Sequence, residues 1–215
     1  MTHLVDIILS FVLLSIIFSF GSSRLQGLIK ALAFQGVVVS IVPFFIGHDI
    51  TEGGVLFSLT TLLIRGIAIP FYIYRFIEKV AAHRELEPII GYNGSIFTGL
   101  LLIVAAMAVS RKFSVPSAST SLLLLPTAIS LLVGGMFLLM ARRKAITMIL
   151  GYITMENGIY LVGTTFSVRA HHIVEFGILL DVLAGVMIMA VILQNIKLKM
   201  QSGGEDTSLN IISKE

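Results

Sequence analysis

Three ionisable residues stand inside long apolar stretches of the 215-residue sequence: Arg65, Glu156 and Asp181. At bilayer depth such a group is disfavoured by about 2.5–3.5 kcal/mol on insertion scales, so it needs a partner or a hydrated path. Counting along helices at about 1.5 Å per residue puts the three roughly 15, 15 and 12 Å below one membrane surface. They share a level near the midplane. Two carboxyls at one level on consecutive antiparallel helices could take up and release protons in turn. Arg65 could tune or balance their charge. The structural alternative is that Arg65 pairs with one acid and locks the bundle.

Glu156 has polar company. Tyr152 and Tyr160 lie at i−4 and i+4, on the same helical face, and Asn157 follows directly. The tyrosine hydroxyls could extend a hydrogen-bonded chain, or the rings could simply pack. Pro70 has no N–H for the carbonyl of Gly66, so a kink is expected beside Arg65. His171 and His172 would point apart on a helix, and beside Glu175 they find no third ligand at a suitable offset. No metal site is expected there. Cysteine is absent, which excludes disulfides, thiolate zinc sites and iron–sulfur ligation. No Gly-rich phosphate loop and no Ser/His/Asp spacing is found. No cofactor, no catalytic residue and no nucleic-acid partner is expected.

The elements that carry these residues must suit a bilayer. Hydrophobic residues make up 56% of the chain and charged residues 13%, against about 25% charged in a soluble domain. With a mean hydropathy of +0.99, this excludes an ordinary soluble domain and a disordered chain. Seven apolar stretches are long enough to cross about 30 Å of hydrocarbon. They are Leu4–Phe20, Leu28–Ile46, Val55–Tyr74, Ile89–Ser110, Leu122–Met140, Ala145–Phe166 and Ile173–Ile196. Helices satisfy their own backbone in lipid, so the expected fold class is all-α and polytopic, with about seven transmembrane helices. Gly91, Asn93 and Gly94 weaken the start of the fourth.

Asp6 sits where a signal peptide would carry its basic region, and Arg24 follows the first stretch, so that stretch is expected to remain as a helix. Basic residues set the orientation. On one side fall Arg24, Lys30, Arg75, Lys79, Arg84, Arg142, Arg143, Lys144, Lys197, Lys199 and Lys214, eleven in all. On the other fall three, Arg111, Lys112 and Arg169. The expectation is an N-terminus outside and a C-terminus in the cytoplasm. Asp6, Lys30 and Glu175 lie near a surface and can snorkel. No span repeats another, which disfavours an independent small-solute transporter. Gly134, Gly135 and Gly151 permit close helix contact, and midplane charges call for neighbours. The chain is therefore expected to depend on larger membrane subunits.

The last three stretches resemble a known family. The run Met140 to Gly151, MARRKAITMILG, followed by Met155, Glu156 and Asn157, is similar to the small three-helix NuoK-type subunit of respiratory complex I. Asp181, Gln194, Lys197 and Lys199 fill a layout like that subunit's next helix. The match covers about residues 121–199. Four extra N-terminal stretches, and the loop Arg84 to Pro88, look like the longer hydrogenase-4 component E (HyfE) family. Residues 1–110 would then be a four-helix membrane part, 111–199 the NuoK-like part and 200–215 a flexible cytoplasmic tail. There is a departure. Anchoring on Gly151 and Asn157 puts the short form's glutamate at Ile153, and anchoring on Gln194 puts the second at Ala184. Glu156 and Asp181 are both displaced outward, by about 4.5 Å.

The resemblance implies a non-redox, non-catalytic subunit of an energy-converting membrane-bound hydrogenase or formate hydrogenlyase-type complex. It would sit in a bacterial or archaeal inner membrane, beside antiporter-like subunits, and indirectly serve a peripheral nickel–iron hydrogenase arm. Its part would be translocation of protons or sodium. The rival readings are a cation/proton antiporter subunit and an assembly scaffold with purely structural charges.

Overall fold

The computed structural model describes residues 2–46, 59–80, 89–113, 121–142, 145–166 and Gly185. Among them are six α-helices and one π-helical segment. Helix α1 is Thr2–Gly21 and α2 is Leu25–Ile46. The π segment Leu62–Ala68 runs straight into α3, Ile69–Val80. Then come α4, Tyr92–Ser110, α5, Leu124–Ala141, and α6, Ala145–Phe166. The all-α expectation holds for these residues. The seventh stretch lies outside them, apart from Gly185.

Among the described residues four helices are long and apolar enough to cross a membrane, over His3–Gly21, Leu25–Pro43, Tyr92–Ser110 and Leu124–Ala141. Helix α1 shows why water is the wrong solvent. Val5, Leu9, Val12, Ile16 and Phe20 are buried, while Leu4, Ile7, Phe11, Leu14 and Phe18 are exposed. Both stripes are apolar at helical spacing, so the outer one needs lipid or another chain. These features fit a multi-pass membrane protein.

The ends of α1 and α5 are tied together. Asp6 Oδ1 accepts from the Ser121 hydroxyl and, at 3.2 Å, from the Leu123 N–H. This carboxylate caps the start of α5 from another helix, favourable at the positive end of the dipole. At the far end Arg142 Nη2 donates to the carbonyls of Ser19, Phe20 and Ser22 at 3.3, 3.1 and 3.3 Å. Carbonyls at a helix C-terminus lack intrahelical donors, and a cation there suits the dipole. The two helices therefore run parallel. Phe113 meets Phe166 at 6.4 Å between ring centroids at the Asp6 end, and the Ile89 N–H donates to Ala141 at the other. That arrangement matches an alternating path through the bundle.

Helices α5 and α6 form a tight antiparallel hairpin. Gly135 abuts the backbone of Met155, Gly158 that of Leu132, and Gly151 that of Leu139. Any Cβ at Gly135 or Gly158 would enter the facing main chain. Gly134 faces Ile16 and Phe20 of α1. The close contacts expected of Gly134, Gly135 and Gly151 are thus made inside the chain rather than offered to a neighbour.

Helix α4 starts three residues after the expected Ile89. Gly91 precedes it with φ of 77°, a left-handed conformation that stops the helix from extending backward. Helix α6 covers Ala145–Phe166, as its apolar stretch predicts.

Candidate functional site

The third stretch bends its backbone rules where Arg65 sits. The Ile69 N–H bonds to the Ile64 carbonyl, five residues back, and Leu62–Ala68 is π-helical. The next residue, Pro70, has no N–H to offer either ladder. The expectation is a kink at Gly66; the chain widens its turn there into a π segment, and such segments recur at functional sites. The segment is seated against α2, because a Cβ on Gly36 would lie 2.5 Å from the Arg65 carbonyl oxygen.

From this segment the Arg65 guanidinium reaches α6. Its Nη2 is 2.7 Å from Glu156 Oε1, with both side chains 1% exposed. Its Nη1 donates to Asn157 Oδ1 at 3.5 Å. Its Cζ lies 4.8 Å from the centre of the Tyr160 ring. Three α6 residues thus meet one cation. A charge removed from water is stabilised only by an opposite charge and well-placed dipoles, and this arrangement supplies both. The aromatic face adds a cation–π contribution of about 0.5–2 kcal/mol.

Glu156 is the twelfth residue of the 22-residue α6, so the pair is near mid-depth. Above and below it the bundle is apolar. One cluster joins Val38, Val39 and Val42 of α2 to Tyr160 and Leu161 of α6 and to α1 and α5. The other joins Leu28, Ile29 and Leu32 of α2 to Ile149, Leu150 and Ile153 of α6 and to Ile69 and Ile73. Between them lie Gln35, Arg65, Glu156 and Asn157, all buried. Ile153, where the resemblance to the NuoK-type subunit would put a carboxyl, is part of the second apolar cluster. Glu156 is the position that Arg65 meets.

The candidate residues divide as follows. Arg65, Glu156, Asn157 and Tyr160 come together. Tyr152 packs in the cluster with Leu28 and Ile153. Asp181 lies outside the described residues, and so do His171, His172 and Glu175. Among the described residues no group of histidine and acidic side chains could hold a metal ion.

Two ionisable residues play parts that a count of loop and surface charges hides. Arg142, counted as a basic loop residue, is 2% exposed and caps α1. Burial lowers its proton affinity, and the neighbouring Tyr92 works the other way. Asp6, expected to snorkel, is turned instead to Ser121 and Leu123. Gln35 was missed because it carries no charge. Its signal was an amide at mid-helix, between Phe34 and Gly36.

No family model and no solved structure matches the chain. It is similar to the uncharacterized protein Rv0085 of Mycobacterium tuberculosis, with 24% identity over 170 residues, covering 78% of this chain and 77% of that relative.

Proposed function

We propose that this chain is a seven-span, non-redox membrane subunit of an energy-converting hydrogenase or formate hydrogenlyase-type complex, in which Glu156 takes part in ion translocation. The observation that carries the reading is the buried Arg65–Glu156 pair at mid-depth, walled by apolar clusters on both sides. The NuoK-like and HyfE-like layout of the sequence supports the same reading. The chain's cytoplasmic end would carry the basic side, and antiporter-like subunits would flank it in the inner membrane.

In this reading Arg65 serves two acids, Glu156 and Asp181. One guanidinium and two carboxyls are neutral together when they share a single proton. The proton then rests on whichever acid Arg65 leaves, so it can change place without adding a buried charge. A guanidinium 2.7 Å from Oε1 occupies the place of a sodium ion, which favours a proton as the cargo.

The second reading is a structural lock, and the direct, stacked geometry of Arg65 favours it. An antiporter-complex subunit is a third, on the same chemistry. Ion uptake into membrane vesicles, measured beside complex yield on a native gel, separates relay from lock. Glu156→Gln should spare yield and abolish uptake. Lost yield before lost uptake would favour the lock.

A further inference from the structure

Helix α2 turns one buried stripe inward: Leu28, Leu32, Gln35, Val39 and Val42. Leu28 and Leu32 pack in the cluster that holds Ile149, Leu150 and Ile153 of α6. Val39 and Val42 pack in the cluster that holds Tyr160 and Leu161. Gln35 is the polar member between them, and it therefore falls at the register of Glu156 and Asn157.

Both amides are sealed in, Gln35 fully and Asn157 at 1% exposure. Gln35 Nε2 donates to Ser15 Oγ of α1 at 2.9 Å. Its Oε1 accepts no hydrogen bond among the described residues. Asn157 spends its Oδ1 on Arg65, and its Nδ2 has no acceptor among the described residues. A buried acceptor and a buried donor thus share one level beside an ion pair. Leaving either without a partner is unfavourable. Buried water satisfies such groups, typically with about three hydrogen bonds.

We propose that Gln35 and Asn157 hold an ordered internal water beside the Arg65–Glu156 pair, and that this water hands protons to Glu156. The water donates to Gln35 Oε1 and accepts from Asn157 Nδ2. Its second hydrogen is directed to a carboxylate oxygen of Glu156. When a proton arrives on the water oxygen, another leaves along the bond to Glu156. One O–H bond forms, one breaks, and the water is regenerated. The site joins α2 to α6, so the four-helix part contributes to it. The transfer step rests on the proposed relay role of Glu156.

The test uses the intact complex in its native membrane. Infrared difference spectra are recorded in ordinary water and in water labelled with heavy oxygen. A water band that moves with the label should be present in the unmodified protein and lost in Gln35→Met and in Asn157→Leu. Ion uptake in Gln35→Met should fall about a hundredfold at unchanged complex yield. A band that persists in both variants overturns the proposal. Should Gln35→Met fail to assemble, a high-resolution map of the unmodified complex decides. Water density between the two amides supports the site, and a side chain bonded there instead overturns it. Normal uptake in Glu156→Gln with the band retained would sink the relay reading, and the transfer step with it, while the water site stands.

Discussion

Gly36 of α2 lies against the backbone carbonyl of Arg65, closely enough that an added Cβ would be 2.5 Å from the oxygen. The charged centre is thus seated by a main-chain contact, and only then aimed by its side chain. Gly36→Ala should push the π segment away from α2 and lengthen the reach from Arg65 to Glu156. Overpacking of this kind costs about 1–3 kcal/mol. Thermal unfolding of the purified complex in detergent would record it. An unchanged midpoint would mean that the crossing relaxes freely.

Arg65→Leu strands Glu156 as a buried carboxylate, an effect of about 3–5 kcal/mol. Arg65→Leu combined with Glu156→Leu should regain much of that loss, because the stranded charge goes with it. A double-mutant cycle on stability reads the coupling directly. Additive effects would show that the pair does not act as a unit. Arg65→Lys keeps the charge but loses the planar fork that serves Glu156 and Asn157, so it should fall between.

Tyr160 offers its ring to Arg65. Tyr160→Phe should keep the complex yield near that of the unmodified protein, while Tyr160→Leu loses about 0.5–2 kcal/mol. If Tyr160→Phe abolishes ion uptake at normal yield, the hydroxyl belongs to the proton path after all.

Arg142→Leu removes the donor shared by the carbonyls of Ser19, Phe20 and Ser22 at the end of α1. Each orphaned buried acceptor is worth about 1–3 kcal/mol, so the loss should exceed that of Asp6→Ala, a cap removal of about 0.5–2 kcal/mol. Comparing their melting temperatures in one detergent tests the order.

The orientation expected from the basic residues has its own check. Reporters fused after Lys144 and after Lys199 should both read as cytoplasmic. Disagreement between the two would remove the seven-span reading.

Much of the helix layout was legible because apolar length alone sets it, and α6 ends where its apolar run ends. The meeting of Arg65 and Glu156 was also legible, since depth follows from counting residues. The π segment was not. Pro70 announces a missing donor but not how the backbone will accommodate it. Gln35 was overlooked because only charge was counted, yet an amide at that depth has the same need for a partner. The capping role of Arg142 was not legible, because a basic turn looks alike whether its guanidinium faces solvent or a neighbouring helix end. That distinction depends on α1, more than a hundred residues away in sequence.

The same separation has a consequence for biosynthesis. Asp6 finds Ser121 at a distance of 115 residues along the chain, and the Ser22 carbonyl finds Arg142 at 120. At about 5–20 residues added per second, α1 is made on the order of ten seconds before either of its end clamps exists. During that interval its carboxylate and its terminal carbonyls need lipid headgroups, water or an insertion factor. Helix α1 meets α2 early, through Ser15 and Gln35, but its two ends are clamped only once α5 has followed.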